Sequence, residues 1–394
     1  MASVPVGPGR SGLLDAAPGP LHPQARETLL AALDAGWADP RRLHREARLA
    51  SGLLNQARAV IAADLGVTPE SLTFHLGGGA AGVAAAMDGV AWPRRRTGRR
   101  VVASAVEHSS ILIPGRYAAA QSGESEDFAE VPVDRLGRVD MAAFAAAVGV
   151  PGTAVAALQH ANGEVGTIQP VAPALDVCRA TGVPLVVDAS ASVGRVAAPP
   201  AYDVLVADAA AVAGPPLGIV VVAPGTAFRR SGPPREAEFG RADAPVWVPL
   251  ALAAAEAWQQ ASAARAADAR EAFALTERLR AAASAIPDVD VVGDPVDRLP
   301  HIVTFSALFA DGESLVTELD RRGLALASGS ACTASTLEPS HVLTAMGVLT
   351  HGNVRATLPW DPVATDRAEG VERLIAELPV VIADVRAHLG AGEL

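Results

Sequence analysis

The stretch from Thr68 to Gly82 restricts the fold more than any other part of the chain. Its residues, Thr-Pro-Glu-Ser-Leu-Thr-Phe-His-Leu-Gly-Gly-Gly-Ala-Ala-Gly, predict a strand, a glycine-rich turn and the start of a helix. This arrangement presents backbone N–H groups to an anion. A glycine turn that binds nothing is equally consistent with the pattern, because a single glycine cluster is weak evidence for a site.

A second apolar strand ends in an acid. The run Val183-Pro-Leu-Val-Val is followed directly by Asp188. Doubly wound sheets place their ligand contacts at the carboxyl ends of strands. The sequence therefore makes Asp188 a candidate ligand-binding residue.

The remaining apolar patterns predict further helices and strands. Helices are predicted over residues 24–33, 43–65, 136–148, 250–285 and 313–322. Strands are predicted over residues 101–106, 153–158, 289–292, 302–305 and 324–326. No internal repeat divides the chain further.

Composition excludes several classes of protein. The chain has 394 residues, enough for a large domain and a smaller one, and its formal net charge is −11. Such acidity argues against a nucleic-acid binder. Two cysteines imply no disulfide framework, and neither a basic-then-apolar leader nor an apolar run of about 18 residues is present. We therefore expect a cytoplasmic protein without a membrane span or a metal site.

Lysine is absent from the sequence. Lys and Arg together number 32, and every one of them is arginine. Lysine is the side chain that forms imines with carbonyl cofactors, whereas a guanidinium stays protonated and does not. No side chain of this chain can therefore hold a carbonyl cofactor as an imine.

One of the two cysteines, Cys332, lies among small residues in the segment 325–342. Apolar residues resume after Pro339, so the segment predicts a flexible loop that leads into a helix. A small buried cysteine is the alternative interpretation. Serine, glycine and threonine neighbours favour the loop.

The run SGSACTASTLEPSHVLTAMG, from Ser328 to Gly347, resembles the active-site loop of cysteine desulfurases. These pyridoxal-phosphate (PLP) enzymes take sulfur from L-cysteine as a persulfide on a loop cysteine. The resemblance extends from about Leu14 to Leu358. It implies the α/β architecture of PLP fold type I: a large domain with a mixed, mostly parallel sheet flanked by helices, and a smaller C-terminal α+β domain. It places the large domain at 15–249 and the small domain at 1–14 and 250–394.

Several residues match positions that serve the family's site. The resemblance implies that His108 stacks on the PLP ring, Asn162 contacts the phenolic oxygen and Asp188 pairs with the pyridine nitrogen. It also implies that Arg355 grips the substrate carboxylate, as a fork-shaped donor can. The other matching positions are the persulfide carrier Cys332, the phosphate cradle Gly78 and Gly79, and Arg241, which reaches the partner's phosphate in a dimer.

Other family positions are changed against PLP. The segment from Tyr202 to Gly218 aligns Ala211 with the Schiff-base lysine, Ala210 with a histidine and Asp208 with a phosphate-binding serine. Ala191 stands where relatives have a glutamine. Deleting the lysine removes the covalent tether, and an Asp carboxylate near a phosphate is repulsive.

These observations leave three hypotheses. The first is a working enzyme that uses noncovalent PLP to move cysteine sulfur to Cys332. The second is a degenerate relative, with PLP weakly bound or absent, that acts in sulfur transfer through Cys332 or as a scaffold for an active desulfurase. The third is chemistry with another ligand in the emptied pocket. We favour the second, with a homodimer, an active paralogue or a sulfur-acceptor protein as partner.

Overall fold

A computed structural model describes residues 12–15, 19–328 and 339–390, so Cys332 and most of the predicted loop lie outside the described residues. The described residues form two compact units. The large unit comprises Leu21–Gly163 and Thr167–Arg265. The small unit comprises Glu164–Gly166 and the described residues of 1–20 and 266–394.

A seven-stranded mixed sheet is the framework of the large unit. Its strands are β1 (Leu72–Leu76), β2 (Arg100–Ser104), β3 (Phe128–Val131), β4 (Thr153–Gln159), β5 (Leu185–Asp188), β6 (Val204–Asp208) and β7 (Leu217–Val222). Their order is β1-β7-β6-β5-β4-β2-β3. Strands β2 to β6 pair in parallel, whereas β7 is antiparallel to both β6 and β1. This is the mixed, mostly parallel sheet that the resemblance predicts.

Helices accompany the sheet in the large unit. They are α1 (Pro23–Ala35), α2 (Arg45–Leu65), α3 (Gly78–Ala91), α4 (Ser109–Ser122), α5 (Met141–Val148), α6 (Val171–Thr181) and the first part of α7 (Val248–Ser284). Val83 and Val90 of α3 belong to one core cluster with Val206 and Val220 of the sheet. A fully buried valine stabilises the fold by about 1.5–3 kcal/mol, so this packing fixes the position of α3 on the sheet.

The small unit contains the elements β8 (Val289–Val292), β9 (Ile302–Ala307), α8 (Gly312–Arg321), α9 (His341–Met346), β10 (Asn353–Thr357) and α10 (Arg367–His388). Its three strands form an antiparallel sheet in the order β10-β9-β8. Apolar side chains of these elements and of the last turns of α7 form its core, among them Leu279, Phe305 and Leu378. The predicted domain bounds, 15–249 for the large domain and 1–14 with 250–394 for the small domain, remain a prediction.

Two predicted elements differ from the structure. The helix predicted over residues 136–148 begins only at Met141, because Gly137 has a φ of +81° and the Asp140 carboxylate caps the amides of Ala142 and Ala143. The strand predicted over residues 324–326 is instead a single bridge between Ala325 and Leu13. In the described ranges, no helix has both the length and the apolar character needed to cross a bilayer.

Candidate functional site

Polar side chains of the large unit gather at the carboxyl ends of the parallel strands. Gln159 ends β4, Asp188 ends β5 and Asp208 ends β6, while Glu107 and His108 follow β2 by a few residues. Parallel strands bring these ends to one edge of the sheet. Gln159 lies directly opposite Asp188 in the β4–β5 pairing.

Asp188 is buried at this edge, with 8% of its surface exposed. Its Oδ1 accepts a hydrogen bond of 2.9 Å from the amide of Ser190. Burial raises the pKa of the Asp188 carboxyl, and the nearby charge of Asp208 raises it further. Hydrogen bonding from Ser190 and the charge of His108 act in the opposite direction. The family role of Asp188 as partner of a pyridinium remains a prediction.

Asn162 and Gln159 share one backbone acceptor. Their side-chain amides donate to the carbonyl oxygen of Val106, at 3.1 and 2.7 Å. This orients the Asn162 side chain, which is 2% exposed, beside the segment that carries His108. The structure thus places Asn162 and His108 at the same edge of the sheet, and their roles toward PLP remain predictions.

Glu107 is a buried acid whose surroundings the sequence did not reveal. Its Oε1 accepts a hydrogen bond of 2.7 Å from the amide of Gln159, and none of its surface is exposed. Burial raises the pKa of Glu107 to about 8, and the charge of Asp188 adds to the shift. The buried surroundings of Glu107 therefore favour its protonated form. In the sequence, the position of Glu107 directly before the candidate residue His108 could have indicated that it lies near the site.

The side chain of Asp208, the last residue of β6, lies against the amino terminus of helix α3. Its Oδ2 accepts a hydrogen bond of 2.6 Å from the amide of Gly79, and its Oδ1 accepts one of 2.9 Å from the amide of Ala210. The local cap residue, Gly77, supplies no side-chain hydrogen bond. Gly78 lies so close that a β-carbon there would approach Asp208 Oδ2 to 2.7 Å. The carboxylate therefore packs directly against the glycine turn.

This arrangement does not fit the phosphate of PLP. A phosphate bound as the resemblance implies would need the first-turn amides of α3, and the Gly79 amide already donates to a carboxylate. Two unit charges about 4 Å apart repel each other by about 4 kcal/mol at an effective dielectric constant of about 20. Ala211, at the position aligned with the Schiff-base lysine, lies in the short turn Ala209–Val212 and offers no amine.

His108 and Arg241 make contacts within their own chain. His108 is exposed and caps α4, where its Nδ1 accepts a hydrogen bond of 3.2 Å from the amide of Ser110. Arg241 Nη1 donates to the carbonyl oxygens of Glu70 and Ser71 at 3.2 and 3.1 Å. Burial lowers the pKa of Arg241. The reach of Arg241 to a partner subunit remains a prediction.

Arg355 belongs to the small unit, on β10. Its backbone N–H donates to Ala327 O at 2.7 Å, and its guanidinium lies 3.8 Å from the carboxylate of Asp15. The side chain is 12% exposed. An ion pair with Asp15 competes for the guanidinium that would grip a substrate carboxylate, so the substrate role of Arg355 remains a prediction. Cys332 lies outside the described residues.

The other cysteine of the chain, Cys178, is a core thiol. It lies on α6 with none of its surface exposed. Burial, assisted by the charge of Asp203, raises the pKa of the Cys178 thiol to about 12. Because the thiolate is the reactive form, Cys178 is chemically inert at neutral pH. In the described ranges no group of three or more His, Cys, Asp or Glu side chains is placed to hold a metal ion.

Comparison with known proteins decides the family. Residues 13–215 and 229–373 match the family model "Aminotransferase class-V". A cysteine desulfurase of Cereibacter sphaeroides is 32% identical over 381 residues, which cover 93% of this chain and 94% of that protein. The chain belongs to the cysteine desulfurase family of class V aminotransferases. The cysteine desulfurase NifS of Azotobacter vinelandii is 31% identical over 308 residues, 75% of this chain and 73% of that protein.

Solved structures of family members share the fold. A NifS-like protein superposes with a TM-score of 0.82 at 22% identity, covering 95% of this chain and 99% of that chain. The apo structure of a cysteine desulfurase from Thermococcus onnurineus gives a TM-score of 0.76 at 18% identity, with 94% of both chains covered. The fold is therefore PLP fold type I, which confirms the prediction. The family implies PLP as cofactor. This chain differs from the family pattern at the position where the phosphate of PLP would bind.

Proposed function

We propose that this family member is degenerate, a pseudoenzyme without ordinary PLP turnover, and that it acts in sulfur transfer through Cys332 or as a partner of an active desulfurase. The main support for this proposal is the hydrogen bond that the Gly79 amide donates to the Asp208 carboxylate, at the place where the resemblance puts the PLP phosphate. The absence of lysine supports the same conclusion. Ordinary turnover needs lysine twice, to hold the cofactor and to move the α-proton.

Sulfur transfer to Cys332 needs neither PLP nor lysine. The Cys332 thiolate attacks the outer sulfur of a donor persulfide, R–S–SH. A new S–S bond forms on Cys332, the S–S bond of the donor breaks, and the donor leaves as the thiolate R–S⁻. The outer sulfur keeps its proton, so charge balances and no external oxidant is required. The donor would be an active desulfurase charged by cysteine.

Persulfide labelling tests this function. After incubation with an active desulfurase and L-cysteine, we expect the full chain to carry persulfide at Cys332. Cys332→Ser is expected to abolish the label, and Cys178→Ser to leave it unchanged, because the Cys178 thiol is buried with a pKa of about 12. Mass analysis of alkylated peptides measures the label.

Two outcomes would change the proposal. An unlabelled Cys332 in a chain that still binds the desulfurase would favour a scaffold over a sulfur carrier. Release of sulfide from cysteine by this protein with added PLP, well above the rate of free PLP and lost in Cys332→Ser, would favour the alternative function, a cysteine desulfurase that uses noncovalent PLP.

We also propose a dimer, either of two copies or with an active paralogue, in the cytoplasm. Family members are often dimers, and large apolar side chains are exposed on the large unit, among them Leu43 at 89%, Tyr117 at 65% and Ile113 at 63%. Burial of such side chains favours association. Light scattering at micromolar concentration should give twice the chain mass of 40.1 kDa, and a pure monomer would count against the homodimer.

A further inference from the structure

A carboxylate of the chain itself, that of Asp208, lies at the amino terminus of helix α3. The first amides of a helix have no intrahelical partners, and the helix dipole favours negative charge beside them. In α3 the local cap residue Gly77 has no side chain to offer, and the Gly79 amide receives the carboxylate of Asp208 from 129 residues further along the chain. A carboxylate and a phosphate satisfy the same amide in the same way, through charge-assisted hydrogen bonds.

The Asp208 carboxylate is fixed from two sides. One oxygen binds the Gly79 amide at 2.6 Å and the other binds the Ala210 amide at 2.9 Å. The Gly79 α-carbon also faces Ser190, so that a β-carbon at Gly79 would approach Ser190 Oγ to 2.6 Å and Asp208 Cβ to 3.3 Å. The space over the glycine turn is therefore filled by Asp208 and Ser190, and a phosphate would have to displace them.

Charge adds to this steric exclusion. Asp188, at the end of the neighbouring strand, has a pKa that burial raises and that the charge of Asp208 raises further. An incoming phosphate would bring up to two further negative charges to this edge of the sheet. In the family resemblance a serine, which is neutral and can donate to the phosphate, stands where this chain has Asp208.

We propose that Asp208 is an internal substitute for a ligand phosphate, which closes the α3 amide site to phosphate monoesters and keeps the wild-type chain folded without one. The proposal concerns anion binding alone and stands whether or not Cys332 carries sulfur. Failure of the labelling experiment and failure of this proposal are therefore distinguishable.

Asp208→Ser in the full chain tests the proposal. Without added anion, the variant should melt at a lower temperature than wild type, because the Gly79 amide loses its partner. Inorganic phosphate, compared with chloride at equal ionic strength, should raise the melting temperature of the variant but not that of wild type. Titration calorimetry should give binding of PLP to the variant up to about 1,000-fold tighter than to wild type, the factor that corresponds to removing one close negative charge.

Two further variants sharpen this experiment. Asp208→Asn keeps the shape and the acceptor oxygen while removing the charge, so it should gain affinity for phosphate even if the serine variant folds poorly. Asp134→Ser is the matched control, since the Asp134 carboxylate also accepts amide hydrogen bonds, from Leu136 and Arg138, in an exposed turn. It should gain no phosphate binding.

Two results from the comparison of wild type with its Asp208 variants would overturn the proposal. The first is saturable binding of PLP or inorganic phosphate to wild type that is as tight as binding to Asp208→Ser or Asp208→Asn. It would show that the Asp208 carboxylate does not exclude phosphate from the α3 amides. An unchanged melting temperature of Asp208→Ser in chloride would show that Asp208 does not stabilise α3.

Discussion

Replacing Arg367 by methionine is expected to lower the free energy of unfolding of the small unit by about 3–5 kcal/mol, the range for breaking a buried ion pair. The Arg367 guanidinium donates to Asp268 Oδ1 at 2.5 Å, to Glu271 Oε2 at 2.9 Å and to the carbonyl oxygen of Pro359 at 2.9 Å. Arg367 is 1% exposed and Asp268 4%. Methionine fills similar space but leaves the Asp268 carboxylate buried beside an apolar side chain. Urea unfolding and hydrogen exchange of the α10 amides measure the loss.

Two variants separate the buried charge from the lost side chain. Arg278→Met removes an arginine whose ion pair with Glu372 is exposed, with side chains 58% and 45% accessible, and should cost at most about 1 kcal/mol. Asp268→Asn combined with Arg367→Met removes both charges and should recover much of the loss. If Arg367→Met lowers the free energy of unfolding no more than Arg278→Met does, the buried ion pair of Arg367 with Asp268 does not have the stabilising role described here.

The elements that the sequence predicted well are those whose pattern is local. The run predicted as a strand over residues 153–158 is β4, and the long alanine-rich pattern over residues 250–285 is the larger part of α7. The order of the strands does not follow from apolar spacing, because it depends on pairing between segments that are far apart in the sequence. The late start of α5 shows the limit of periodicity, since Leu136 has helical spacing but Gly137 and Asp140 end the turn before the helix begins.

The sequence predicted candidate site residues one by one, but not their arrangement. Asn162 and His108 were proposed because each matches a family position, and Asp188 also because it ends an apolar strand. The structure places all three at one edge of the sheet, and their roles remain predictions. The sequence predicts repulsion between Asp208 and a phosphate. It does not predict the hydrogen bond that the Gly79 amide donates to Asp208. That contact joins the start of α3 to the end of β6 and exists only once the helix has packed on the sheet.

Restoring a lysine should restore cofactor capture only if the carboxylate is also removed. Wild type incubated with PLP should show no visible absorbance band from a lysine-bound cofactor, and borohydride reduction should leave no pyridoxyl-lysine, because the chain has no lysine. The double variant Asp208→Ser with Ala211→Lys should give the band and close to one adduct per chain. Ala211→Lys alone should give little of either, because the Asp208 carboxylate still holds the Gly79 amide.

The neighbouring position provides the control for this gain of binding. Ala210 lies in the same short turn as Ala211, so Asp208→Ser with Ala210→Lys places the same amine one residue away. Random modification of an exposed amine would label both double variants equally, whereas a specific site would favour Ala211→Lys. Equal capture by Ala211→Lys with and without Asp208→Ser would show that the missing lysine alone separates this chain from PLP. No capture by any lysine variant would contradict the alignment of Ala211 with the Schiff-base position.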